Sequence, residues 1–188
     1  MRSLNNPIIW YLMRGSGVVT LILFTVVVVL GIATTRRFRT VRLPRFVTLG
    51  LHRSVSLLAV VFLGIHIATA LADSYAKVSL AQALLPLPSA KYGLWLGMGA
   101  LSLDLLAAVI VTSLLRHRMS QRVWKSVHWL AYASWPLAFA HSVGIGTDKA
   151  AGWFLDTGVA CAGLIAMTVV WRLLALRNPY PKYLGTAS

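Results

Sequence analysis

The chain has 188 residues, of which 58% are hydrophobic and only 12% charged, and its mean hydropathy is +0.75. Those values exclude an ordinary soluble domain, in which charged residues make up about a quarter of the composition. Eighteen Lys and Arg face four Asp and no Glu, a formal charge of +14, but the cations fall between apolar runs and leave no separate basic domain, so the expected partner is membrane lipid, not nucleic acid.

A membrane-spanning helix needs about 20 mostly apolar residues. Five segments meet that length, near 15–35, 46–72, 93–115, 122–143 and 152–176. In the first, Val18 to Ile32 is followed by Ala33-Thr34-Thr35-Arg36-Arg37 and not by a small-x-small cleavage site, so it reads as a retained helix and not as a signal peptide. The first connection is basic, with Arg36, Arg37, Arg39, Arg42, Arg45 and Arg53. The second, from Asp73 to Tyr92, contains Pro86 and Pro88 and a short surface helix over Ser79–Leu85, a plausible lid or docking surface. Arg116, Arg118, Arg122 and Lys125 lie in the third, and Arg172, Arg177 and Lys182 at the C-terminal end.

Short Lys/Arg-rich loops stay on the cytoplasmic side. The N-terminus and the second and fourth connections hold only Arg2, Arg14, Lys77, Lys91 and Lys149, together with Asp73, Asp148 and Asp156, and so face outward. The expected fold is therefore all-α: one domain over residues 1–188, an integral membrane up-and-down bundle of five transmembrane helices in the cell membrane. Its N-terminus lies outside and its C-terminus in the cytoplasm.

The lone Cys161 excludes an intrachain disulfide and a Cys-rich metal or iron–sulfur site. The histidines carry the chemistry instead. His52 and His66 lie in the second helix, His128 and His141 in the fourth, and both helices run from cytoplasm to exterior. Separations of 14 and 13 residues correspond to roughly 21 and 20 Å of rise, so one histidine pair forms near the inner face and another near the outer face. A low-spin b-type heme takes one imidazole on each side of its iron, and two such pairs can hold two hemes in series.

Fourteen residues at about 100° each keep His66 on the face of His52, whereas thirteen leave His141 about 140° from His128. Pro136 lies between the latter two, and a proline kink there is the expected correction. His117, in Arg116-His117-Arg118, reads as a solvated surface group. No tight His, Asp, Glu or Cys cluster has zinc-ligand spacing.

The pattern resembles the ferric reductase-like transmembrane domain family, which includes the membrane part of NADPH oxidases and the heme-binding subunit of bacterial methionine sulfoxide reductase. Its mark is a His-x13-His helix and a His-x12-His helix, reproduced by His52/His66 and His128/His141. Trp10-Tyr11-Leu12-x-Arg14-x-x-Gly17, Leu51-His52-Arg53, Thr112-Ser113-Leu114-Leu115-Arg116 and Trp124-Lys125-x-x-His128-Trp129-x-x-Tyr132 look like its small actinobacterial-type members. The resemblance covers nearly the whole chain. It implies two hemes b, the inner ligated by His52 and His128 and the outer by His66 and His141. Many relatives have six helices, and this chain lacks the first. The oxidases and full ferric reductases add a C-terminal flavin and NADPH domain, which is missing here. The expectation is an electron-transfer subunit fed by a separate flavoprotein or quinone and passing electrons to an external acceptor such as ferric iron.

Heme propionates pair with cations near the membrane faces. Arg53 and Lys125 suit the inner heme and Arg14 the outer, against the plainer role of snorkelling interfacial side chains. Asp104 is the one carboxylate well inside a predicted helix, expected to be protonated or hydrogen-bonded. Asp73, Asp148 and Asp156 read as solvated. Gly93-x-x-x-Gly97 and Gly97-Met98-Gly99 read as close-approach positions between helices. Trp129, Trp135 and Phe62 fit the bundle core better than a path between hemes. The alternatives are a quinol-linked cytochrome b subunit of a periplasmic reductase system and a heme-free assembly or transport subunit whose histidines are merely packed.

Overall fold

In a computed structural model, residues 7–35, 45–89, 91–146 and 152–177 are described, the backbone alone at 35, 45 and 175–177. The basic stretch 36–44, Asp148 and Lys149 in the fourth connection, and the two termini lie outside the described residues. So does the orientation evidence that they carry. The described elements are α1 Pro7–Thr35, α2 Arg45–Ala72, α3 Leu80–Leu84, α4 Leu94–Leu114, a 3₁₀ turn Arg116–Arg118, α5 Gln121–His128, α6 Leu130–Ile145 and α7 Gly152–Arg177. They are all helical, and four of them, α1, α2, α4 and α7, are long and apolar enough to cross a membrane. In hydrocarbon each backbone N–H and C=O must be paired within its own segment, which the helix achieves and an open strand does not. Serines and threonines follow the same rule: Thr25, Ser56, Thr69, Thr112 and Thr168 return their hydroxyls to backbone carbonyls four residues earlier.

α1 begins at Pro7, eight residues before the expected start, so Trp10, Tyr11 and Arg14 lie within it. The expected helix 122–143 is two pieces. Ser120 caps α5 by accepting the Val123 N–H, and the chain then breaks at Trp129, whose carbonyl accepts the Tyr132 N–H at 3.0 Å in a tightened turn. Pro136 stays inside α6. The interruption thus lies beside His128 and not midway between the histidines. A turn with i→i+3 bonds winds about 120° per residue instead of 100°, which changes the relative phase of His128 and His141. At 16 residues α6 spans about 24 Å, short of a hydrocarbon core of about 30 Å.

Two antiparallel pairs dominate the packing, α1 with α2 and α4 with α6, and α1 also meets α6 and α7. The core is Phe24, Val28, Ile32, Trp135 and Cys161. At its centre the Trp135 indole N–H donates to Thr25 Oγ1 at 2.9 Å, joining α6 to α1. Trp135 also stacks on Phe139, rings 5.4 Å apart and 9° from parallel. On the other side of α6, Ser102 of α4 donates to the Ser134 carbonyl at 2.9 Å. Trp135 therefore belongs to the bundle core, as expected, whereas Trp129 is exposed. α2 differs from the other spans, because none of its most apolar stretch is buried. It packs along α1 and faces α5 and α6 mainly through its histidines.

The loop from Asp73 to Tyr92 is pinned down. Ser79 and Gln82 form a reciprocal capping box at α3, Tyr92 Oη donates to the Ala76 carbonyl at 3.1 Å, and Lys91 lies over the rings of Tyr75 and Tyr92. Asp73 departs from expectation. It is buried, because its Oδ1 accepts the Tyr75 N–H at 2.9 Å to close the turn after α2.

Candidate functional site

α1 and α2 run antiparallel, so positions 14 residues apart on one face 14 residues on the other. Gly17 lies opposite His66, and Gly31 lies opposite His52. A Cβ on Gly17 would come within 2.9 Å of His66 Nδ1, and one on Gly31 within 3.5 Å of His52 Cε1. Gly17 leaves room for the His66 imidazole between two apolar helices, whereas at Gly31 a Cβ would make only an ordinary contact with His52. α4 repeats the device for α6, since a Cβ on Gly99 would collide with the His141 ring.

One turn before each of two of these glycines is a backbone carbonyl that accepts from the ring. His66 Nδ1–H donates to Met13 O at 2.8 Å, and His141 Nδ1–H donates to Trp95 O at 3.0 Å. A donor at Nδ1 leaves Nε2 as the lone-pair nitrogen, and fixing the tautomer through a carbonyl is the usual support of a metal-binding histidine.

The rings then meet across the bundle. His52 faces His128 with centroids 6.3 Å apart, and His66 faces His141 at 6.4 Å, with interplanar angles of 63° and 84°. A metal–imidazole bond of about 2 Å, plus about 1 Å from nitrogen to ring centre, puts two imidazoles in line across one metal with centroids roughly 6 Å apart. Both separations fit that value and differ from each other by 0.1 Å. Among the described residues no three His, Cys, Asp or Glu cluster as a metal site, so a zinc-like protein cage has no support. A porphyrin brings four nitrogens of its own and asks the protein for two axial donors. The donor set, the glycine cradles and the fixed Nδ1 atoms all suit it.

The two layers are not alike. In the His52/His128 layer both Nδ1 atoms are buried without a hydrogen bond, although the Val27 carbonyl lies within range of His52. His128 is held by stacking instead: Trp124 lies 4.9 Å from it at 27°, and the Arg116 guanidinium lies over the Trp124 ring, 4.5 Å from its centre. The Trp124 indole N–H is also buried without a partner.

A family model described as a domain of unknown function, DUF8596, matches residues 8–148. The chain belongs to the DUF8596 family. The match takes in α1 to α6, all four paired histidines and the glycines opposite three of them, while α7 lies beyond it. No curated protein and no solved structure matches the chain.

Arg53 and Lys125 are exposed, on α2 and α5, and Arg14 lies against the Trp10 ring at 4.3 Å. His117 is exposed in its basic turn, as expected. Gly93 and Gly97 correct the helix-approach reading: Gly93 starts α4 with φ +57°, and Gly97 admits the Pro86–Leu87 backbone, a loop and not a helix. Sequence reasoning missed the Met13 and Trp95 carbonyls, Gly31 and the Trp124 stack. The Gly17/Gly31 spacing of 14, equal to that of His52/His66, was the available signal for the first helix.

Proposed function

We propose that this DUF8596 chain is a di-heme b-type transmembrane electron-transfer protein of ferric reductase-like type. What carries the reading is the pair of imidazole bridges at 6.3 and 6.4 Å, set at two depths of an apolar bundle. His52 with His128 would hold one heme iron and His66 with His141 the other. Two hemes bound there would supply one-electron carriers on either side of a hydrocarbon slab that otherwise blocks charge. Met13, Trp95, Gly17 and Gly99 orient the ligands. Arg53, Lys125 and Arg14 are within reach of the bilayer faces and pair with propionates.

In this reading α5 and α6 together make the fifth crossing of the cell membrane, with the N-terminus outside and the C-terminus cytoplasmic. A separate flavoprotein or the quinone pool donates electrons, and an external acceptor, ferric iron among the candidates, takes them.

The test is a dithionite-reduced minus oxidised spectrum, with heme quantification, on protein purified from membranes. Two hemes per chain are expected. His52→Ala and His128→Ala remove the same heme, and His66→Ala and His141→Ala the other. No Soret or α-band change, or equal loss of both hemes in all four variants, would sink the reading.

A further inference from the structure

We propose that the two imidazole pairs hold their irons at unequal reduction potentials, the His52/His128 site being the higher. The inference rests on the two-heme reading and concerns how this chain's residues bias the two sites. His66 and His141 each donate Nδ1–H to a backbone carbonyl, at 2.8 and 3.0 Å. Such a bond shifts negative charge onto the imidazole and makes Nε2 a stronger donor, which stabilises the ferric state and lowers the potential. His128 has no carbonyl at its buried Nδ1, and at His52 the Val27 carbonyl lies within range without closing a hydrogen bond of that geometry.

Charge acts in the same direction. Ferric heme carries one more positive charge than ferrous, so neighbouring cations favour reduction. The Arg116 guanidinium caps the Trp124 ring that stacks on His128 and is within electrostatic range of that imidazole. Arg53 follows His52, and Lys125 precedes His128 by three residues. At the His66/His141 end Arg14, one residue after Met13, lies over the Trp10 ring, and Asp73, seven residues beyond His66, adds a buried carboxylate. Ligand strength and local charge agree: with iron held at both sites, the residues of the His52/His128 layer would favour the ferrous state more than those of the His66/His141 layer.

An equilibrium redox titration of the holoprotein, followed at the α-band, reads this directly. Two one-electron waves are expected. His66→Ala and His141→Ala lose the lower wave and keep the upper, and His52→Ala and His128→Ala do the reverse. Arg116→Gln, which spares every ligand, moves the upper wave to lower potential and leaves the lower in place. Coincident waves, the reverse assignment, or an upper wave unmoved in Arg116→Gln would overturn the inference while the two-heme reading stands. Protein that binds no heme would instead overturn that reading.

Discussion

Gly99 shows how much a single hydrogen atom decides. A methyl there would occupy the volume of the His141 ring, whose Nδ1–H is tied to Trp95 O. Gly99→Ala is therefore expected to displace His141 and to lose heme from that layer, measured as about half the α-band amplitude per chain. Gly64, in the middle of α2, would meet nothing with a Cβ. Gly64→Ala is expected to keep the full amplitude and to stabilise the helix by about 0.5–1 kcal/mol in detergent unfolding. The four paired histidines were legible in the sequence because imidazoles are conspicuous in hydrocarbon and their spacing repeats. The carbonyls of Met13 and Trp95 were not, since every residue has a carbonyl and only the fold reveals which two face a ring.

At the scale of elements, apolar length set α2, α4 and α7 and the end of α1 close to their observed bounds, missed the first two turns of α1, where Pro7 to Arg14 are less uniformly apolar, and the Ser79/Gln82 box set α3. The fourth span was misjudged because Pro136 is the conspicuous helix breaker, while the actual interruption at Trp129 depends on how Trp124 and Tyr132 pack around it. Arg172 explains part of that packing: from α7 it donates to Tyr132 Oη at 3.2 Å and lies over the Trp129 ring at 5.2 Å. The tie between α1 and α6 gives a sharper test. Thr25→Val leaves the Trp135 indole N–H buried without an acceptor and should cost about 1–3 kcal/mol. Trp135→Phe in the Thr25→Val background should add less than it does alone, because the bond has already gone. Additive losses in the double variant would show that the bond contributes nothing.

For the whole molecule, the alternation of cation-rich and cation-poor connections predicts orientation more fully than packing does, because burial within a single chain is blind to which side is cytoplasm. Cysteines introduced singly at Arg118 and at Lys77, in a Cys161→Ser background, should be labelled by a membrane-impermeant maleimide from opposite sides. In intact cells Lys77→Cys should react and Arg118→Cys should not until the membrane is opened. The reverse pattern would invert the topology and, with it, the direction of the proposed relay. The family assignment covers six of the seven α-helices and names no function, so the chemistry rests on the residues themselves.

The partnership of α1 with α2 and of α4 with α6 has a consequence for biogenesis. Each hairpin pairs its own backbone and buries its own seam, so each can enter the bilayer as a finished unit during synthesis. The histidine pairs, by contrast, join α2 to the other half of the chain, through His128 on α5 and His141 on α6. On the proposed two-heme reading, neither half could supply both donors to an iron porphyrin until the halves had met, and cofactor capture would report that a newly made chain had closed correctly.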